Sequence, residues 1–217
     1  MLNIDNNKQI FTDLLRKVSR DGADIPGLIY KLEKKGFFTA PCSAKYHLNI
    51  EGGLCQHSLN VYYTLAKLNE AFETNLSEDS MIIVALCHDL DKMGKYEITS
   101  RNVKDYCANG KCEDALGKFN WKSEVGYAVK QAEDRFIYGH HGQNSEYMTG
   151  TFIPLSIEES AAITNHMGRN DEYNCFDATP IFNKFTLAAM LHLADSLSTF
   201  VIETGKSKIF ECEVICD

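Results

Sequence analysis

The chain has 217 residues and a formal charge of −8, with 44% hydrophobic and 24% charged residues. This balance is that of a globular protein with one sizeable core. No apolar run approaches the ~20 residues that span a bilayer, and the N-terminal MLNIDNNKQIF lacks the basic and apolar regions of a secretory leader. The acidic charge, without clustered Lys or Arg, argues against an extended nucleic-acid backbone as partner. It leaves room for a small phosphorylated substrate, a nucleotide for instance, held by cations and a lysine. The eight cysteines are scattered, and Cys55 and Cys87 fall within apolar helical patterns. Reduced thiols, and hence a cytoplasmic protein, are expected.

No repeat, low-complexity stretch or Pro/Gly/Ser linker divides the chain. The pattern predicts an N-terminal helical segment (1–40) packed on a core domain (41–203), followed by a tail (204–217). In KQIFTDLLRKVSR, residues 8–20, the side chains of Ile10, Leu14, Leu15 and Val18 share one helical face. Pro26 can open a second helix that ends before Gly36, and residues 39–53 read as a loop. Leu59, Tyr62, Leu65, Ala66 and Leu68 recur at helical spacing within 54–72. Ser77 followed by Glu78 and Asp79 is a helix start, and that helix is expected to carry Met81 through Asp91.

Residues 96–121 alternate and are rich in aromatic side chains, and Asn109-Gly110 is a two-residue turn signal because both positions accept positive φ. A β-hairpin with Cys107 opposite Cys112 is expected. A C-x4-C pair without a second cysteine pair at metal spacing reads as cross-strand neighbours rather than a zinc site. Helices are then expected at 122–133, 144–151, 156–168 and 180–203, giving a mainly α fold with a small β insertion. The aromatic residues of 96–138 could line a pocket or form the core of the hairpin.

His88 and Asp89 directly follow the apolar run Met81–Cys87. A carboxylate buried there without partners is costly or loses its charge, and a divalent cation removes that cost. His57, His141, His166 and Asp195 could complete its surroundings, with Lys92 as a phosphate partner. His and Asp ligands suit Mn, Fe, Co, Ni or Zn. Taken singly, each residue has an ordinary reading: His57 a core histidine, His88-Asp89 a helix-end ion pair, Asp195 a buried acid, Lys92 a solvated helix-end cation. Together, several uncompensated polar residues on apolar helices favour a metal site.

The ordered pattern H…HD…H…H…D, within EGGLCQHSLNVY, HDLDKMGKY, GHHGQNS, ITNHMG and LHLADSLSTF, resembles the HD-domain metal-dependent phosphohydrolases over roughly residues 40–200. The stretch PCSAKYHLNIEGGLCQHSLNV is also similar to the entry of the HD domain in 3′–5′ exoribonucleases. The resemblance implies an HD-like helical bundle, with His57, His88, Asp89 and Asp195 around a first metal ion. Where members hold a second ion, it implies Asp89, His141 and His166 for it. It further implies catalytic roles for Asp89 and Lys92, the latter in the lysine position of H-D-x-x-K. His141 is preferred to His140 because the matching family segment has its histidine directly before Gly and a Ser three residues beyond.

The implied activity is hydrolysis of a phosphate ester, in a nucleotide or short phosphodiester, by metal-activated water. The alternatives are an exoribonuclease-like nuclease and a non-catalytic nucleotide- or metal-binding protein. One departure concerns substrate preference: GQNS follows His141 where many relatives carry an acidic and a basic residue. His192 has no counterpart in the pattern and reads as packing or as support to the ligands, and His47 is left without a role. Lys95, Arg101, Arg135 and Arg169 could each reach a phosphate, and the sequence does not rank them.

Overall fold

A computed structural model describes residues 2–168 and 178–204. Arg169 and the tail beyond residue 204 therefore lie outside the described residues. The chain begins with α1 (Ile4–Lys17), whose amide at Asn6 is capped by the Asn3 side chain, and α2 (Ile25–Lys34), capped by Asp24 with Pro26 in its first turn. Next come a 3₁₀ turn (Phe37–Thr39) and α3 (Gly53–Phe72). α4 (Glu78–Cys87) starts at Ser77, whose hydroxyl accepts from the Ser80 amide, with Glu78 and Asp79 in the first turn as expected.

α4 is the centre of the molecule. Every residue from Met81 to Cys87 is buried, so the helix is apolar all round and must be enclosed. It packs against α1, α3 and three later helices, α5 (His141–Gly150), α6 (Ile157–Asn165) and α8 (Thr186–Leu197). Phe11, Phe37 and Phe38 close one end of the core with ring centroids 5.0–5.5 Å apart. The short α7 (Thr179–Lys184) precedes α8, and α8 runs on into a π-helical turn, Ser198–Ile202. The region expected as one helix over 180–203 is therefore broken at Phe185 and widened after Leu197. No helix among the described residues is long and apolar enough to cross a membrane.

The fold is mainly helical with a β insertion, but the insertion is larger than expected and differently connected. β1 (Tyr96–Tyr106) pairs antiparallel with β3 (Gly117–Val129), and β2 (Cys112–Asp114) pairs with the other edge of β3. Residues 122–129, expected as helix, are thus strand. Trp121, Val125, Tyr127 and Val129 alternate along one face, and the matching register of Tyr96–Lys104 supplies the partner that outweighs the helix-forming Lys and Glu nearby. Neither Asn109 nor Gly110 takes positive φ. A turn does form there, closed by the Gly110 amide donating to the Cys107 carbonyl, but the two-residue hairpin connection lies between Asp114 and Gly117, where the Asp114 carboxylate accepts the Leu116 amide. Tyr106 and Cys112 both lie opposite Phe119, on its two sides, so Cys107 and Cys112 do not face each other across a hairpin. Cys107 and Cys112 are free thiols, as are the buried Cys42, Cys55 and Cys87.

Candidate metal centre

The α4 helix ends at His88, and Asp89 leaves the helical conformation before a 3₁₀ turn over Leu90–Lys92. The expected helix through Asp91 thus stops early, and the change of direction aims both side chains into the middle of the helical core. Both are buried. α3 brings His57, α5 brings His141, α6 ends at His166, and α8 brings Asp195. The α5–α6 approach depends on Gly142: a Cβ there would sit 2.1 Å from the Thr164 carbonyl oxygen. That close contact sets the rings of His141 and His166 5.1 Å apart.

The side chains meet around Asp89. His141 Nε2 lies 2.7 Å from Asp89 Oδ1 and His166 Nε2 3.7 Å from the same oxygen. His57 and His88 each place Nε2 3.5 Å from Asp89 Oδ2, and those two nitrogens are 3.3 Å apart. Asp195 Oδ1 is 3.2 Å from His57 Nε2. Lys92 Nζ contacts Asp89 Oδ2 at 2.6 Å. All six candidate ligands and Lys92 therefore lie in one cluster.

Proton positions follow from the outer partners. His88 Nδ1 lies 2.9 Å from the Ala85 carbonyl and His166 Nδ1 2.7 Å from the Ile163 carbonyl. A carbonyl oxygen only accepts, so both Nδ1 atoms carry the proton and donate it. Burial, with His88 and His141 nearby, pushes His166 down to about 3, which keeps it neutral and leaves a bare lone pair on Nε2. That buried nitrogen has no hydrogen-bond partner and faces a carboxylate. A lone pair opposed to a carboxylate oxygen is unfavourable unless a cation lies between them. The buried His57, His88, Asp89 and His166 side chains, with the half-buried Asp195, could thus hold a divalent ion, and two groups within them, His57–His88–Asp195 and His88–Asp89–His166, converge closely enough to do so.

The charges are set by the same neighbours. Burial would raise the Asp89 carboxyl, but Lys92, His88 and the hydrogen bond with His141 hold it well below its usual range. Burial opposes a charge on His57, yet Cys42, Glu203 and Asp195 around it raise the imidazole well above its ordinary value. Without an ion, a proton on His57 supplies the positive charge between the acids.

Several supporting residues escaped the sequence reading. Glu203, buried just after the π turn, accepts from His57 Nδ1 at 2.8 Å and from Asn60 Nδ2 at 3.1 Å, and it also pairs with His47. Glu203 thereby directs His57 Nε2 towards Asp89 and Asp195. It lies eight residues beyond Asp195, and the wide turn between them, closed by Glu203 N–H donating to Ser198 O, is invisible to a 3.6-residue periodicity. Asp91 performs the same service for His141, accepting from Nδ1 at 2.9 Å while also receiving Lys95 Nζ (2.8 Å) and Asn144 Nδ2 (2.7 Å). An acid two residues after Asp89 within HDLD was its only sequence signal. His47 lies beside this centre, its Nε2 3.9 Å from Cys42 Sγ, and burial works against the hydrogen bonds it gives to Cys42 and Glu203, which push it up to about 9. His192 donates through Nδ1 to the His166 carbonyl at 2.6 Å and stacks on Phe182, a supporting position as expected. His140 caps α5 rather than joining the cluster. No family model, curated protein or solved structure matches the chain.

Proposed function

We propose that this protein is a metal-dependent phosphohydrolase with an HD-type helical bundle, acting on a nucleotide or short phosphodiester. The observation that carries the reading is the inward convergence of histidine Nε2 atoms on Asp89 and Asp195, with a bare nitrogen on His166. These residues occur in the chain order that the HD resemblance implies, with Lys92 against Asp89. A divalent ion held there supplies Lewis-acid polarisation of a phosphoryl oxygen and lowers the pKa of a water molecule.

The chain's own residues do the rest. His57, His88, Asp89 and Asp195 form one ligand group, and Asp89, His141 and His166 form the adjoining one. Lys92 is held as a cation: burial opposes its charge, but Asp89 raises it well above the usual lysine value. An ammonium in this place stabilises the negative charge that builds on phosphate oxygens. Asp91 and Glu203 keep His141 and His57 in single orientations. The side chains of His88 and His166 are shut off from solvent, whereas His141 is 22% exposed and so forms the open side of the cluster.

The test is metal content of protein purified without chelator, followed by hydrolysis of a nucleotide panel with the same ion, for wild type and Asp89→Asn. About one or two transition-metal ions per chain are expected, lost in the variant together with turnover. Hydrolysis unchanged in Asp89→Asn overturns the reading. So does failure to take up Mn, Fe, Co, Ni or Zn on reconstitution.

A further inference from the structure

Beside the cluster lies a cleft of about 190 Å³, which shares Asp91 and His141 with it and is otherwise walled by Met93, Lys95, Arg135, Phe136, Ile137, Gly139 and Asn144. Its two cations differ. Lys95 is neutralised by Asp91 at 2.8 Å. Arg135 has no carboxylate partner among the described residues, and its Nε is shut off from solvent with no hydrogen bond. A chain of net charge −8 thus places an arginine with no carboxylate partner among the described residues on the wall of a cleft next to the His/Asp cluster. Such a group lowers its free energy by meeting an anion, and its planar fork matches phosphate oxygens.

The adjoining wall is flat and apolar. Phe136 stacks on Tyr147 with centroids 5.7 Å apart at 24°, and Tyr138 stacks on the same tyrosine at 4.5 Å and 28°. Phe136, Ile137 and Tyr138 are 41–63% exposed. The stack is fixed from below: the Asn144 carboxamide oxygen accepts both the Tyr138 and Gly139 amides at 2.8 Å, and its amide nitrogen donates to Asp91. The ledge and the cluster are therefore braced through one asparagine. Aromatic ledges of this kind stack nucleobases with little dependence on sequence.

We infer that the cleft is a subsite for a nucleotide carrying a second phosphate beside the one that is cleaved, with Arg135 binding the second phosphate and Phe136 and Ile137 facing the base. The inference rests on the phosphohydrolase reading for the identity of the scissile group. The Gln143-Asn144 sequence, which replaces the charged pair of many HD relatives, fits this arrangement. Asn144 braces the ledge instead of carrying charge, and the cation for the ligand comes from Arg135.

The decisive experiment compares a 5′-phosphorylated dinucleotide with a nucleoside 5′-monophosphate, using wild type, Arg135→Ala and Arg135→Lys. Binding is measured by calorimetry with Mn present and again with chelator, and turnover is measured separately with Mn. Wild type is expected to bind the dinucleotide more tightly than the monophosphate. Arg135→Ala should lose about 10–100-fold for the dinucleotide alone, the range of a lost charged hydrogen bond, and Arg135→Lys should recover part of it. Equal binding of the two ligands by wild type, equal losses for both in Arg135→Ala, or no binding of either ligand overturns the subsite. Absence of turnover with the binding preference intact instead sinks the phosphohydrolase reading and leaves the subsite standing.

Discussion

Glu159 and Asp89 are both carboxylates withdrawn from water, 0% and 2% exposed, yet their surroundings are opposite in kind. Glu159 receives Arg20 through both terminal nitrogens at 2.5 and 2.7 Å, the Ser80 hydroxyl at 2.7 Å and the Ser156 amide at 2.8 Å. Every partner is a donor, and the group ties the segment after α1, the start of α4 and the cap of α6 into one corner. Asp89 receives Lys92 and His141 but also faces nitrogens whose protons are committed elsewhere. A buried charge whose partners all donate is complete in itself. One that also faces lone pairs, as Asp89 faces those of His88 and His166, is complete only with a further cation.

That contrast can be broken by mutation. The largest expected effect is at the satisfied corner: Arg20→Ala strands the Glu159 charge and should cost about 3 kcal/mol in urea unfolding. A loss below about 1 kcal/mol would mean that the corner is no more than a surface pair. Next is Gly142→Ala, whose methyl group collides with the Thr164 carbonyl and forces α5 away from α6. We expect about 1–3 kcal/mol of destabilisation and loss of bound metal, read by denaturation and metal analysis on the same sample.

Glu203→Gln keeps the shape but weakens the hold on His57 Nδ1, and should lower metal affinity about 10–100-fold. Equal metal affinity in a competition assay would show that His57 needs no such support. His166→Leu tests the bare nitrogen directly. With chelator present the variant should be as stable as wild type or more so, by up to about 1 kcal/mol, while metal content falls. Marked destabilisation of the metal-free variant would show that His166 is a structural residue like Glu159.

The smallest effect is a slope. Burial would raise the Glu159 carboxyl, but Arg20, the Ser156 amide and Ser80 hold it below its ordinary value. Because the folded value is the lower one, its contribution is present above that value and fades as pH falls through it and on through the folded value. Acid-side stability curves of Glu159→Gln should therefore be flatter than wild type as pH falls through and below the ordinary glutamate range. Parallel curves would sink the assignment.

The sequence by itself determined the helical class of most of the fold and the composition of the cluster. Met81–Cys87 is apolar without interruption, so α4 had to be enclosed, and a His-Asp pair at its end had to be enclosed with it. It also displayed His57, His141, His166, Asp195 and Lys92, because polar residues stand out against apolar helical patterns. It misjudged 122–129, where helix-forming residues and β alternation overlap and only pairing with β1 decides between them. The Asn109-Gly110 signal likewise lost to a pairing in which β3 lies between β1 and β2.

Tertiary structure alone decided how the cluster is completed. Glu203 reaches His57 across 146 positions, and Asp91 reaches His141 across 50. Arg135 is singled out because it lines the cleft beside the cluster with no acid folded against it among the described residues. Local periodicity records which face of an element is buried, whereas a hydrogen-bond partner, or the lack of one, depends on contacts between elements that no local pattern encodes.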